Sequence, residues 1–322
     1  MDIYSEVFSA LRLEAGLYFS ACLRGDFALR LAEEHRRIRF HLVLDGACFV
    51  TVPGQDQVRL DRGDFVLIPD GAAQTLSSGR DVSAAVALSD ALSRSQPVDG
   101  EFRYGEGEPL CRLLCGFLRF DEALDHPLLK GLPPLIVLQR SDDPAAAGVA
   151  AALALLRAEA DGPGAMQASI IHRIVEILLM QTVRSGLVGQ SSPAALYSAA
   201  LAHPRLSRAL SAIHSRPEGA WTVDSLAAVA GMSRSRFAQI FTRAVGMTPV
   251  GYLTHWRMIR ARELLAAPGP GMADIAARCG YLSVPAFGRR FAATFGIGPG
   301  EWRRRSRSPG ENAGEARTIP KP

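Results

Sequence analysis

The chain has 322 residues, of which 48% are hydrophobic and 21% are charged, with a formal net charge of +4. This length suits two domains, and the globular composition excludes a wholly disordered or fibrous chain. No stretch of about 18 uncharged apolar residues occurs, so no membrane span and no membrane partner are expected. The first residues lack the basic start of a secretory signal, and five cysteines in so long a chain do not suggest a disulfide framework. We therefore expect a cytoplasmic protein.

The charge is divided unevenly along the chain. Residues 1–200 hold 18 basic and 25 acidic residues, a balance of −7, whereas residues 201–307 hold 16 and 5, a balance of +11. An acidic first part joined to a basic second part indicates that only the second part meets a polyanion. A basic surface that is merely solvated is the alternative.

The first part of the chain has the pattern of short strands. In residues 37–44, large apolar side chains recur at every second position, which is the pattern of a half-buried strand. The pair Asp45-Gly46 predicts a turn after this strand. Further strand-like segments are 48–52, 57–60, 64–69 and 112–120. Short strands at this spacing predict an all-β barrel or sandwich.

The middle of the chain has the pattern of two helices. Residues 144–160 are rich in Ala and Leu, and residues 165–184 carry isoleucines at helical spacing. We expect these helices to make the protein a homodimer, and the alternative is that both pack only on their own barrel. Residues 191–202 are expected to be a linker, and residues 306–322 a disordered tail.

The strongest signal is an internal repeat with an offset of 50 residues. The identities are Ser233 with Ser283, Phe237 with Phe287, Phe241 with Phe291, Gly246 with Gly296 and Pro249 with Pro299. Each unit has a short helix, a turn with Gly231 or Gly280, and a second helix that starts at a serine N-cap. The second turn has one extra residue.

The phenylalanines of each second helix lie four residues apart, so they share one buried face and leave the opposite face free. This pattern predicts two helix-turn-helix units, joined by a long helix over 249–266, whose second helices enter the major groove of double-stranded DNA. An ordinary helical bundle with incidental repetition is the alternative.

Residues 203–305 resemble the DNA-binding domain of AraC/XylS-type transcriptional regulators, through TVDSLAAVAGMSRSRFAQIF and MADIAARCGYLSVPAFGRRF. By position, the resemblance places base-reading residues at Ser235, Ala238, Gln239, Gly288 and Arg289. Arginine can bond guanine or a phosphate, and glutamine can bond adenine. The expected DNA-binding residues are Arg234, Ser235, Ala238, Gln239, Arg243, Gly288, Arg289 and Arg290.

The segments RFHLVLDG and GDFVLIPDGAAQTL resemble the cupin-like domain of one branch of this family. The resemblance implies a small sensor β-barrel over 1–140, followed by a helical dimerisation segment over 141–190. The expected fold is α+β, with an N-terminal cupin-like β-barrel with helices and a C-terminal all-α domain, 203–305, that contains two helix-turn-helix units.

The polar residues of the expected barrel include a few candidates for metal ligands. His35, His41 and Asp45 are the nearest candidates, but they lack the His-x-His spacing of metal-binding cupins, and Gln74 stands where a histidine is frequent. We expect His41 to lie in a hydrogen bond or on a polar strand face. The sequence thus predicts no metal, no cofactor and no enzyme. A cupin-type metalloenzyme fused to a DNA-binding module is the alternative.

Cys22 and Cys115 are candidates for a thiol switch. Arg24 lies two residues from Cys22, and Arg112 and Arg119 flank Cys115. A nearby cation lowers the pKa of a thiol and raises the thiolate fraction that oxidants attack. The alternative is that these cysteines are small core residues.

The sequence therefore predicts a sequence-specific, DNA-binding transcriptional regulator whose first domain senses a small-molecule effector or an oxidant. RNA polymerase is expected as a further partner. Activation is the working assignment, while repression, the effector and the promoter stay open.

Overall fold

The computed structural model describes residues 3–11, 13–35, 37–120, 127–139, 143, 146–162, 166–185 and 193–307. The chain forms two compact units. Leu11–Ser198 form the first, here called the β unit, and Met1–Ala10 with Ala199–Pro322 form the second, here called the helical unit.

Ten strands were assigned in the described part of the β unit. They are β1 (Glu14–Arg24), β2 (Ala28–Leu31), β3 (Arg37–Thr51), β4 (Val58–Asp61), β5 (Phe65–Ile68), β6 (Gln74–Ser77), β7 (Val86–Ala87), β8 (Glu101–Tyr104), β9 (Pro109–Arg119) and β10 (Ile136–Leu138). The sheet order is β7-β2-β6-β3-β9-β1-β8, with β4 and β5 also paired to β3 and β10 paired to β5.

Among the described residues, helices occur in both parts of the chain, and those from Ala147 onwards follow one another without an intervening strand. They are α1 (Ile3–Leu11), α2 (Leu88–Arg94), α3 (Pro127–Lys130), α4 (Ala147–Asp161), α5 (Gln167–Arg184), α6 (Pro193–Ala202), α7 (Pro204–Ser215), α8 (Val223–Ala230), α9 (Arg234–Val245), α10 (Pro249–Ala266), α11 (Met272–Arg278), α12 (Val284–Phe295) and α13 (Pro299–Arg307). The predicted α+β fold, with strands first and helices second, is confirmed.

Strand β3 organises the β unit. Its first half pairs with β5 and β9, and its second half pairs with β4 and β6, so the sheet curls into a cupin-like half-barrel. The interior is filled by apolar side chains, among them Phe19, Val43, Val50, Leu60, Phe102 and Leu113.

The turn predicted at Asp45-Gly46 is wrong, because β3 continues through it. The register against β9 shifts between Val43 and Asp45, and the left-handed Gly46 (φ 71°) follows the shift. A Cβ at Gly46 would lie 1.9 Å from the carbonyl oxygen of Leu110. The local turn signal therefore marks a β-bulge, at which the strand passes from one set of partners to the next.

Helices α4 and α5 pack against each other, and α5 also packs on β1. Leu153 and Leu178 are fully buried in this arrangement. Other apolar side chains of the pair face outwards, since Leu155 is 54%, Ile170 37% and Ile177 42% exposed.

The expected linker, 191–202, is largely helical. Its residues 193–202 form α6, in which Tyr197 is fully buried, so this stretch packs as part of the fold. Residues 191 and 192 lie outside the described residues. The same holds for the expected disordered tail beyond residue 307, whereas 306 and 307 complete α13.

Candidate nucleic-acid interface

The internal repeat corresponds to two similar helix-turn-helix units, α8–α9 and α11–α12. Each turn contains a left-handed glycine, Gly231 (φ 64°) or Gly280 (φ 74°). After each glycine, the next amide donates to a carbonyl five residues back, from Met232 to Ala227 at 3.0 Å and from Tyr281 to Ala276 at 2.9 Å. The two first helices therefore end in the same way, and the 12-residue helices α9 and α12 follow.

Helix α9 has one buried and one exposed face. Phe237 and Phe241 are fully buried, whereas its predicted DNA-binding residues are exposed, apart from the half-buried Ala238. The exposed members are Arg234, Ser235, Gln239 and Arg243. Helix α9 can therefore present hydrogen-bonding groups to a groove while its aromatic face remains packed.

Arg234 forms an ion pair with Asp224, with Nη1 3.2 Å from Oδ2. Both side chains are well exposed, so the pair contributes little to stability and exchanges easily for a phosphate. Arg236, which the sequence analysis did not select, is also exposed in the first turn of α9. The basic residues of the first turn of α9 are visible in the sequence, and counting them would have added Arg236 to the expected DNA-binding residues.

Helix α12 has the same division. Phe287 and Phe291 are fully buried, while Arg289 and Arg290 are exposed. Gly288 is half-buried, and a Cβ placed on it would meet nothing within 4 Å. The space beside Gly288 is therefore open to an approaching backbone or base.

The two serine N-caps differ. Ser283 accepts a hydrogen bond from the amide of Ala286 at 3.4 Å, as expected, whereas the side chain of Ser233 makes no capping bond. Ser233 is in the N-cap position with extended backbone, but its hydroxyl does not satisfy an amide of the first turn.

The expected connecting helix over 249–266 is confirmed as α10. Its Tyr252 ring packs edge-on against Phe241 of the first unit, with centroids 5.8 Å apart. Its Met258 and Leu265 share a fully buried cluster with Phe287 of the second unit. Because α10 supplies side chains to the cores of both helix-turn-helix units, it holds α8–α9 and α11–α12 in a defined relative position.

A buried polar network within the helical unit escaped the sequence analysis. The Nε2 atom of His214 lies 2.8 Å from the Tyr252 hydroxyl, and Nδ1 lies 3.1 Å from a carboxylate oxygen of Glu6. The His214 ring also stacks on Trp256 at 3.7 Å. Burial lowers the pKa of His214 despite Glu6, so the imidazole is neutral. Glu6 and His214 are 208 positions apart in the sequence, so no local sequence pattern could predict their contact.

Cys22 and Cys115 do not meet in the β unit. In the register of β1 with β9, Cys115 pairs with Phe19, whereas Cys22 pairs with Arg112. Cys115 belongs to the interior cluster together with Phe19, and alternation along β1 places Cys22 on the other face of the sheet. Both are buried, and burial raises the pKa of the Cys115 thiol far above its ordinary value.

The interior cysteines that lie near each other are different ones. A hydrogen bond with Cys111, followed by burial, raises the pKa of the Cys48 thiol. Burial also raises the pKa of Cys279 to about 12, and this residue packs in the core of the second helix-turn-helix unit. Thiols in such surroundings are mostly protonated and react slowly with oxidants.

His41 lies in hydrogen bonds, as expected. Its Nδ1 is 3.2 Å from Sγ of Cys115, and its Nε2 is 2.9 Å from the amide nitrogen of Gln74. His35 and Asp45 are exposed, whereas His41 is buried. Among the described residues, no group of three or more His, Cys, Asp or Glu side chains could hold a metal ion. None of the helices formed by these residues has the length and apolarity needed to cross a membrane.

Two family models match the chain. A cupin model covers residues 2–187, and a helix-turn-helix domain model covers residues 226–305. The cupin match covers the strand-patterned part and most of the helical segment expected at 141–190, and the helix-turn-helix match contains the internal repeat.

Several known proteins are similar to the chain. The HTH-type transcriptional regulator AlkR of Acinetobacter baylyi is 31% identical over 95% of this chain and 100% of its own length. A putative AraC-like transcription regulator of Streptomyces lividans is 30% identical over 96% of this chain and 100% of its own length. Among solved structures, the DNA-binding domain of AdpA in complex with a target DNA is 30% identical, covers 32% of this chain and 93% of that one, and has a TM-score of 0.31.

Proposed function

The chain belongs to the AraC-like transcriptional regulators that carry an N-terminal cupin domain, and we propose that α9 and α12 bind two successive major-groove segments of its operator. The observation that carries this proposal is the pair of matching helices, each with a buried aromatic face and an exposed polar face. Both helices lie within residues 201–307, whose net charge is +11. The proposed DNA-binding residues are Arg234, Ser235, Ala238, Gln239, Arg243, Gly288, Arg289 and Arg290.

The chemistry of these residues assigns them different tasks. Exposed Gln239 can pair with adenine and exposed Arg289 with guanine, each through two hydrogen bonds to the base edge. Arg243 and Arg290 neutralise phosphates, which provides affinity without sequence preference. Ala238 and Gly288 have no donor or acceptor in the side chain, so their task is to permit close approach.

Arg289→Ala tests base readout. Starting from a site selected from random DNA by the full-length protein, we expect this variant to lose about 1–3 kcal/mol of discrimination at one base position. Arg30→Ala, at an exposed arginine of the β unit, removes the same charge and should leave that discrimination intact. Equal weakening of all sequences by Arg289→Ala would reduce Arg289 to a phosphate contact. Absence of sequence-selective binding by the wild type would refute the proposed function.

The proposal includes a homodimer formed through α4 and α5. Leu155, Ile170 and Ile177 are exposed on these helices, and an apolar surface of this kind is stabilised by a matching copy. Two helical units brought together in this way would bind one operator and present it to RNA polymerase, with activation as the expected outcome.

The β unit is proposed to sense a small-molecule effector or an oxidant. For an oxidant, Cys22 and Cys115 remain the proposed thiols, and their positions on opposite faces require each to react independently rather than with the other. DNA binding before and after mild peroxide or hypochlorite treatment should separate the two signals. If Cys22→Ser and Cys115→Ser leave an oxidant response unchanged, or if none exists, the small-molecule effector is the better assignment.

A further inference from the structure

The side chain of Leu282 is fully exposed directly before α12, with a relative exposure of 107%. Met232 stands 50 residues earlier, at the same offset as the other repeat partners, but it is half-buried. A fully exposed leucine forgoes the free energy of burial, and this one stands at the start of a helix that is proposed to bind DNA.

The hydrogen bonds of the two turns identify Leu282 as the extra residue of the second unit. Met232 and Tyr281 both follow a left-handed glycine and both donate to a carbonyl five residues back. Tyr281, and not Leu282, is therefore the structural counterpart of Met232. The additional residue is accommodated between this position and the N-cap Ser283.

The residue on which Leu282 would usually pack, Phe287, is already in contact with another side chain. An apolar residue before an N-cap commonly packs on the fourth residue of the helix, here Phe287. The ring of Tyr281 contacts Phe287 instead, with centroids 5.8 Å apart. Leu282 is left without a core position and projects from the end of α12.

The residues around Leu282 extend this apolar surface. Val284 is 37% exposed and Pro285 is also exposed, while the hydroxyl of Ser283 is engaged by the amide of Ala286. The corresponding first turn of α9 carries Arg234, Ser235 and Arg236, which are polar. The start of α12 thus offers no side chain suited to bidentate hydrogen bonding with a base, but it offers three exposed apolar side chains, Leu282, Val284 and Pro285.

We propose that Leu282 and Val284 contact the 5-methyl groups of thymines in the operator segment bound by α12. The thymine methyl is the apolar group that unmodified DNA presents in the major groove, and it pairs with aliphatic side chains. This inference rests on the proposed function, in which the N-terminal end of α12 enters that groove. It makes the α12 segment selective for thymine at one or two positions, next to the base contacted by Arg289.

Replacement of single thymines by deoxyuridine tests the contact, because it removes the methyl and keeps every hydrogen-bonding group. Using the full-length protein and a selected operator, we expect one or two replacements in the α12 segment to weaken binding about fourfold each, which is the effect of about one exposed methyl group. Leu282→Ala and Val284→Ala should weaken binding to thymine DNA and respond less to deoxyuridine. Val98→Ala, at an apolar side chain of the β unit that is 69% exposed, should retain the full response.

The outcomes separate this inference from the function on which it rests. Sequence-selective binding that is indifferent to every deoxyuridine in the α12 segment would overturn the thymine contact and leave the proposed function standing. An equal loss by Leu282→Ala on both DNAs would also overturn it. If Leu282→Ala binds both DNAs like the wild type but activates transcription less, the surface contacts RNA polymerase and the inference is wrong. Failure of the wild type to select any sequence would overturn both.

Discussion

The imidazole of His41 lies inside the half-barrel between Cys115 and Gln74, and it is 1% exposed. Burial, with a smaller contribution from the charge of Arg39, lowers the pKa of His41 to about 3. A neutral imidazole both donates and accepts, so it can satisfy two interior neighbours without carrying a charge. In this structure His41 is therefore a structural residue in the interior of the β unit.

This burial predicts a loss of stability in acid. An unfolded histidine has a pKa near 6.5, so between pH 6.5 and about 3 the unfolded chain binds a proton that the folded chain does not. The free energy of unfolding should therefore fall with pH in this window, by up to about 1.4 kcal/mol per pH unit from His41. Calorimetry at pH 7.5 and pH 5 should show a smaller loss for His41→Gln than for the wild type.

His35→Gln is the matched control, since this histidine is exposed and lies outside the sheet core. It should keep the acid sensitivity of the wild type. If His41→Gln and His35→Gln lose stability equally, titration of His41 does not contribute.

Helices α9 and α12 share their length, their buried phenylalanines and their left-handed C-cap glycines, Gly246 and Gly296. They differ at their N-terminal ends, where one has arginines and the other has apolar residues and a serine cap. The repeat therefore keeps the buried face of the helix the same, while the end that is proposed to enter the groove differs between the two copies. Differences of this kind allow two similar units to recognise two different sequences.

The unequal caps predict unequal effects of one substitution. Ser283→Ala removes a hydrogen bond to the amide of Ala286 and should destabilise the helical unit by about 1 kcal/mol. Ser233→Ala removes no capping bond and should cost only a few tenths. Urea unfolding followed by tryptophan fluorescence reports on this unit, because Trp221, Trp256 and Trp302 all lie in it. A larger loss from Ser233→Ala would contradict the difference seen between the caps.

Across the whole molecule, function is divided between an acidic part and a basic part. The first 200 residues carry a net charge of −7 and the following 107 carry +11, so the first part of the chain disfavours a phosphate backbone and the second part favours one. The apolar surface of α4 and α5 lies in the acidic part, so the proposed association of two copies would use residues other than the proposed DNA-binding residues.

The proposed dimer predicts a specific disruption. Ile177→Lys places a charge on the exposed apolar surface of α5 and should shift the full-length protein from dimer towards monomer in sedimentation velocity at micromolar concentration. Val98→Lys makes the same change at an exposed valine of the β unit and should leave the dimer intact. A wild type that sediments as a monomer, with α4 and α5 packed only on their own barrel, would remove the dimer from the proposal.

The sequence by itself determined the helix-turn-helix repeat, since the repeat depends on local rules. Aromatic residues four positions apart select one helix face, and glycines end helices wherever the backbone turns left-handed. The connecting helix that the sequence predicts over 249–266 is therefore confirmed. The strand pattern was sufficient to indicate a small β domain, and the acidic-to-basic change along the chain was sufficient to indicate which part binds DNA.

Only the tertiary structure decided the features that depend on distant partners. Strand β3 passes through Asp45-Gly46 because β4 and β6 take over its pairing, and a local turn signal cannot report this. The register between β1 and β9 separates Cys22 from Cys115, although both looked alike in the sequence. In each case the free energy comes from pairing or burial between elements, and that information is not present in any single segment.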